Sequence, residues 1–147
     1  MNQPSLFGPA NSGSVTANID GGSRGNPGPA GYGVHIERED GALLELKGAL
    51  ANATNNVAEY HGLLAALRWA EREGVRTLRI RSDSELLVKQ MRGQYRVKNA
   101  GLRPLHEEAK RISGNIGRVT FEHVRREFNK EADRLANEAM DGAEPSA

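Results

Sequence analysis

A chain of 147 residues with 37% apolar and 27% charged side chains can bury roughly two thirds of its unfolded surface around one core, which excludes disorder throughout. A formal net charge of +1 provides no bulk attraction to a polyanion, so any nucleic-acid affinity has to come from local patches. The lack of cysteine excludes disulfides, thiolate metal sites and thiol nucleophiles, and with no basic-then-apolar leader and no run near about 18 apolar residues, a cytoplasmic protein without membrane association is expected.

Residues 1–13 and 141–147 are rich in turn formers and lack periodicity, so they are expected to be flexible tails on a single domain at 14–140. Val15, Ala17 and Ile19 alternate with polar residues as a first strand ending at Asp20. Tyr32, Val34 and Ile36 make a second strand and residues 42–50 a third, joined by the turn Glu39-Asp40-Gly41, which together predict an antiparallel meander. A helix follows over about 56–73, with Leu63, Ala66, Leu67 and Ala70 on one face and Gly74 as its stop. Further on come a strand at 77–82, helices at 84–91 and about 103–112, a strand through Val119, Phe121 and His123, and a last helix at 130–140. The order βββαβααβα implies an α/β fold with a mixed sheet flanked by helices.

Four acids fall at telling places in this pattern. Asp20 ends the first strand and Asp83 ends the fourth; if those strands are parallel neighbours, both carboxylates reach one edge of the sheet, where open α/β sheets bind ligands. Glu59 lies four residues before Leu63 and seven before Ala66, on the core-facing side of its helix. Asp133 is placed similarly, three residues before Ala136 and seven before Met140. Acids on apolar faces are costly unless paired or bound to a cation, and four that converge repel one another. One or two hard divalent ions are the simplest remedy, and two such ions about 4 Å apart can activate a water and stabilise the leaving oxygen of a phosphodiester. Taken singly, each acid has a plainer reading: Asn56 and Glu59 have capping-pair spacing, Asp83-Ser84 can start a helix, and Asp133 can be a solvated acid beside Lys130 and Arg134.

Joined, the blocks Ile19-Asp-Gly-Gly-Ser-Arg-Gly-Asn-Pro-Gly28, Ala53-Thr-Asn-Asn-Val-Ala-Glu-Tyr60, Arg81-Ser-Asp-Ser84 and Asn129-Lys-Glu-Ala-Asp-Arg-Leu-Ala136 resemble, in order and spacing, the catalytic blocks of type 1 ribonuclease H across about residues 14–140. The resemblance implies a ribonuclease H-like fold, with a five-stranded mixed sheet of order 3-2-1-4-5 flanked by helices. It also implies a monomer that hydrolyses the RNA strand of RNA–DNA hybrids with two Mg²⁺ or Mn²⁺ ions, leaving a 3′-hydroxyl and a 5′-phosphate. Asp20, Glu59, Asp83 and Asp133 then correspond to the metal ligands.

In the resembling family the glycine-rich segment brings its backbone up to the RNA minor groove, so Ser23, Gly25 and Asn26 are expected to line the hybrid. It is no phosphate cradle, because a strand follows it rather than a helix N-terminus. Telling RNA from DNA requires contact with the 2′-hydroxyl, and Asn55 and Asn56 are the matching amides, with Glu85 as a further acceptor. Thr54 and Asn26 correspond to a DNA-phosphate pocket; helix capping and turn formation are the competing readings for these residues.

Three features depart from or add to the pattern. Many members carry a lysine-rich helix that grips the hybrid, and the interval between Gln90 and Leu105 is too short for it, leaving Arg92, Arg96, Lys98 and Arg103 as substitutes and implying weak, salt-sensitive binding. The loop Val124-Arg-Arg-Glu-Phe-Asn129 lacks the histidine that assists product release in several relatives; it resembles a subgroup in which Arg126 or Glu127 substitutes. His123 is expected to end a strand, His35, His61 and His106 to be structural or exposed, and Arg68, Arg72, Arg76, Arg79 and Arg81 to form a solvated face. Finally, Gln3-Pro-Ser-Leu-Phe7 resembles the pentapeptide that docks bacterial proteins on the sliding clamp, with Gln3 fixing the motif and Leu6 and Phe7 as apolar anchors, or else is a tail of chance composition. The contrasting functions are a catalytically silent hybrid-binding module, which has no need of four mutually repelling acids, and a nuclease that also cuts double-stranded RNA.

Overall fold

A computed structural model describes residues 13–143, so Gln3, Leu6 and Phe7 lie outside the described residues. The chain forms β1 (Ser14–Ser23), β2 (Gly28–Arg38), β3 (Leu43–Ala53), α1 (Asn55–Arg72), β4 (Thr77–Ser82), α2 (Glu85–Met91), α3 (Arg103–Ile116), β5 (Arg118–His123), a 3₁₀ turn (Arg126–Phe128) and α4 (Lys130–Ala143). The sheet has the order β3-β2-β1-β4-β5, with the first three strands antiparallel and β4 and β5 parallel to β1, as the family resemblance implies.

The alternation of Val15, Ala17 and Ile19 buries one face of β1 with Val34 and Ile36 of β2, and α1 closes over them with Leu63, Leu64, Leu67 and Ala70. Leu78 and Ile80 of β4 and Ala109 and Ile112 of α3 complete that core. On the opposite face α4 packs across β1, β2 and β3, burying Ala132, Leu135, Ala136 and Ala139. No helix among the described residues is long and apolar enough to cross a membrane.

Several boundaries differ from the sequence reading, each for an identifiable reason. β1 does not end at Asp20; Gly21, Gly22 and Ser23 stay in the ladder opposite Tyr32, Gly31 and Ala30, and the turn shrinks to residues 24–27. Glycine composition suggested a turn, but main-chain hydrogen bonding to β2 keeps the strand going, so Asp20 sits within a strand. α3 continues past residue 112 because Ile116 buries beside Ile112 on the same face. α4 runs beyond Met140 to Ala143, with Arg24 meeting Asp141 at 2.7 Å, so the expected domain edge at 140 falls inside a helix. The cap of α1 is Thr54, whose Oγ1 accepts the Val57 N–H at 3.2 Å, and Glu59 is thereby released from the capping role that its spacing from Asn56 suggested.

Candidate active site

The parallel register of β1 and β4 pairs Ile19 with Ser82, and the residues that follow each of them in sequence are Asp20 and Asp83. Glu59 joins them from the second turn of α1, which can approach because Gly21 has no side chain: a Cβ there would lie 2.4 Å from the Ala58 carbonyl carbon. Carboxylate oxygens of Asp20, Glu59 and Asp83 all lie within 4.8 Å of one another. Asp133, in the first turn of α4, approaches Asp20 from the other face closely enough to raise the pKa of its carboxyl. There too a glycine permits the approach, since a Cβ on Gly33, the cross-strand partner of Asp20, would lie 2.5 Å from the Ala132 carbonyl oxygen.

The electrostatics follow from this crowding. Burial is the main reason the Asp20 carboxyl is pushed up to about 8, with the charge of Asp83 and the nearness of Asp133 adding to it. Burial likewise drives Glu59 up to about 7; a hydrogen bond from Ser84 opposes the shift and Asp83 reinforces it. A second acidic group, His35 with Glu45 and Glu131, converges as tightly on the sheet's α4 side. There the Arg134 guanidinium reaches both carboxylates, at 2.5 Å from Glu45 and 3.0 Å from Glu131, and supplies the positive charge. Among the described residues no lysine or arginine forms an ion pair with Asp20, Glu59, Asp83 or Asp133. An all-oxygen set of acids in which Asp20 and Glu59 resist ionisation, with no ion-paired partner among the described residues, fits a hard divalent cation. The cavity in front of it measures about 280 Å³ and is also lined by Gly22, Asn55, Arg126, Asn137 and Met140.

A reverse transcriptase-like family profile matches residues 18–139. The ribonuclease HI of Halobacterium salinarum is 40% identical over 136 residues, which cover 92% of this chain and 68% of that protein. The chain belongs to the ribonuclease H family. It is also 47% identical over 135 residues to the bifunctional protein Rv2228c of Mycobacterium tuberculosis, covering 90% of this chain and spanning 37% of that protein's length. The solved N-terminal RNase H domain of that protein superposes with a TM-score of 0.86 at 46% identity, covering 90% and 96% of the two chains. LC11-RNase H1, solved in complex with an RNA/DNA hybrid, superposes with a TM-score of 0.82 at 41% identity, covering 88% and 98%.

Within this ribonuclease H fold the residues expected to meet substrate divide into two groups. Ser23, Asn26 and Asn55 are knitted together: Asn55 Oδ1 accepts the Ser23 N–H at 2.8 Å, Asn26 Oδ1 accepts the Asn55 N–H at 2.9 Å, and Ser23 Oγ accepts the Asn26 N–H at 3.1 Å. The tight turn, with Gly25 at φ 98°, is thereby fastened to the N-terminus of α1 beside the acids. Thr54 is next to it as the cap. Asn56 and Glu85 stand apart from the acidic cavity: Asn56 lines a separate groove with Leu86, Tyr95 and Lys98, and Glu85 pairs with Lys89 at 3.2 Å.

Among the loop residues, Arg126 lines the acidic cavity, whereas Glu127 faces Arg125 at 3.8 Å and does not. Residues 92–102 join α2 to α3 without a helix, so no basic protrusion is present there. Two of its expected substitutes are otherwise engaged: the Arg92 Nε and Nη2 donate to the Phe121 carbonyl at 2.9 and 2.6 Å, fastening α2 to β5, and the Arg103 Nε donates to the Val97 carbonyl at 3.4 Å, so Arg92 is a structural arginine. Arg79 and Arg81 are likewise not purely solvated, since both meet Glu122, at 3.0 and 3.4 Å. Sequence reasoning also passed over Ser84, which caps α2 through the Leu87 N–H at 3.2 Å while bonding Glu59, and Asn137 and Met140 of the last helix. For Ser84 the signal was its place directly after Asp83, read only as a helix start.

Proposed function

We propose that this chain is an endonuclease that hydrolyses the RNA strand of RNA–DNA hybrids by a two-metal-ion mechanism, leaving 3′-hydroxyl and 5′-phosphate ends. The observation that carries this reading is the convergence of Asp20, Glu59 and Asp83, with Asp133 beside Asp20, in an open cavity where none of the four acids is ion-paired among the described residues. Asp20, Glu59, Asp83 and Asp133 would hold Mg²⁺ or Mn²⁺, which when bound supplies the acidity of the attacking water and the charge that stabilises the leaving 3′-oxygen. Attack of the water oxygen on phosphorus breaks the bond to the ribose 3′-oxygen, which leaves with a proton.

The protein's own groups select and orient the substrate. Asn55 is fixed by Ser23 and Asn26 at the edge of the acidic cavity, where its amide suits a minor-groove contact that distinguishes a 2′-hydroxyl. Asn26 and Thr54, at the positive end of α1, suit a phosphate of the DNA strand, and Gly25 allows the strand to come close. Arg126 is the exposed cation at the cavity and is positioned to meet the phosphate on which charge develops, in place of the loop histidine. Asn56 is assigned to the flanking groove, and Glu85 to its pair with Lys89 on α2, rather than to the reacting centre.

A monomer acting in the cytoplasm accompanies this reading. For Gln3, Leu6 and Phe7 a sliding-clamp contact rests on sequence alone, and loss of clamp binding in Leu6→Ala with Phe7→Ala is its test. The nuclease assignment is tested with end-labelled RNA–DNA hybrid, double-stranded RNA and double-stranded DNA in Mg²⁺, Mn²⁺ or chelator, beside Asp20→Asn. Metal-dependent cutting of the RNA in the hybrid is expected, with none by the variant. Binding without cutting moves the chain to the silent-binder class, and cutting of double-stranded RNA widens its substrate range.

A further inference from the structure

Asn129 is 1% exposed, among the few polar residues buried as deeply as the core. Its Nδ2 donates to the Ile19 carbonyl at 2.8 Å, an oxygen in the same peptide group as the Asp20 N–H. Its Oδ1 accepts from Asn18 Nδ2 at 2.9 Å. Its own backbone carbonyl accepts the Asp133 N–H at 3.1 Å, in the first turn of α4. One residue therefore grips the backbone before Asp20 and the backbone at Asp133, although the two acids are far apart in sequence and their elements meet on one face of the sheet.

We infer that Asn129 is a positioning residue for the carboxylate site, setting the separation and orientation of Asp20 and Asp133. The inference rests on the reading of the four acids as metal ligands. The requirement for an amide is chemical: the position needs a donor for Ile19 and an acceptor for Asn18 in the same small side chain. Aspartate lacks the donor, leucine has neither group, and glutamine is one methylene too long for the same bonds. A buried partner left without its bond relaxes toward another, which here means moving β1 or the start of α4, and with it a ligand. Ligand placement errors well under 1 Å are enough to weaken an ion site whose geometry is fixed by several carboxylates.

The experiment measures Mn²⁺ binding by calorimetry without nucleic acid, together with kcat and KM on hybrid, for wild type, Asn129→Ala and Asn129→Ser. Mn²⁺ binding is expected to weaken about 10- to 100-fold in Asn129→Ala, with a matching fall in kcat and KM within about twofold of wild type. Asn129→Ser, which keeps one short polar group, is expected to lie between the two and is read by the same criteria if the alanine variant does not fold. A merely structural asparagine lowers the melting temperature and leaves the metal affinity of the folded protein alone. Wild-type Mn²⁺ affinity in either folded variant overturns the inference while leaving the nuclease reading standing. Failure of the wild type to bind Mn²⁺ overturns both, so the two failures are distinguishable.

Discussion

Among the described residues Asp20 is the carboxyl pushed furthest from its ordinary value. Its folded-state pKa, pushed up to about 8 mainly by burial and next by Asp83, lies above the unfolded value of 3.8, so the native state holds the proton more tightly. Stability from this group is therefore complete below about pH 4 and is lost as pH rises through about 8. Glu59, raised from 4.5 to about 7, acts in the same direction. Metal-free protein should thus lose stability between pH 5 and pH 8, on the order of 3 kcal/mol in thermal or urea denaturation with chelator present, and added Mg²⁺ should restore more of it at pH 8 than at pH 5. Asp20→Asn should flatten that slope and abolish cleavage. A metal-free protein that grows more stable across this interval would show that the acids are not crowded as described. The sequence marks these acids by their spacing; the bond from Ser84 to Glu59 was not legible, because a serine after a strand reads first as a cap.

Elements meet at this site only because two glycines keep them from being held apart. Gly21 lets α1 lie against β1, and Gly33 lets α4 lie against β2, each where a Cβ would overlap helix backbone within 2.5 Å. Gly33→Ala should therefore push α4 outward and shift Asp133 from Asp20. The expected cost is about 1–3 kcal/mol by denaturation, with a drop in cleavage rate larger than any change in KM, although residue 33 faces the last helix rather than the cavity. Equal activity in a folded Gly33→Ala would mean that α4 adjusts without moving its acid. The sequence reading gave the glycine segment a role toward nucleic acid; the close helix approach at Gly21 was hidden because it depends on which face of β1 the helix covers.

Across the whole molecule, a formal net charge of +1 leaves affinity for a hybrid to local cations, and the segment that replaces a basic protrusion offers few. Arg96 and Lys98 are exposed beside the groove lined by Asn56 and Tyr95, whereas the Arg92 guanidinium is tied to Phe121. Changing Arg96 and Lys98 together to Ala should raise KM several-fold near 0.15 M salt, leave kcat unchanged and reduce the salt slope by about 2. Arg92→Ala should instead lower the melting temperature with little effect on KM. The reverse pattern in steady-state kinetics and thermal denaturation would return Arg92 to the binding surface.

Periodicity and turn residues were sufficient to determine the number, type and order of the strands and helices, because those features depend on neighbours a few positions apart, whereas the sheet order followed from the family resemblance. The spacing of Asp20, Glu59, Asp83 and Asp133 was equally plain in the chain. What only the tertiary structure decided is which groups touch: that three carboxylates approach within 4.8 Å, that Asn129 joins β1 to α4, and that Arg92 serves the fold while Arg134 neutralises a second acidic group. Those contacts join residues as many as 111 positions apart, and no local pattern encodes a partner at that separation.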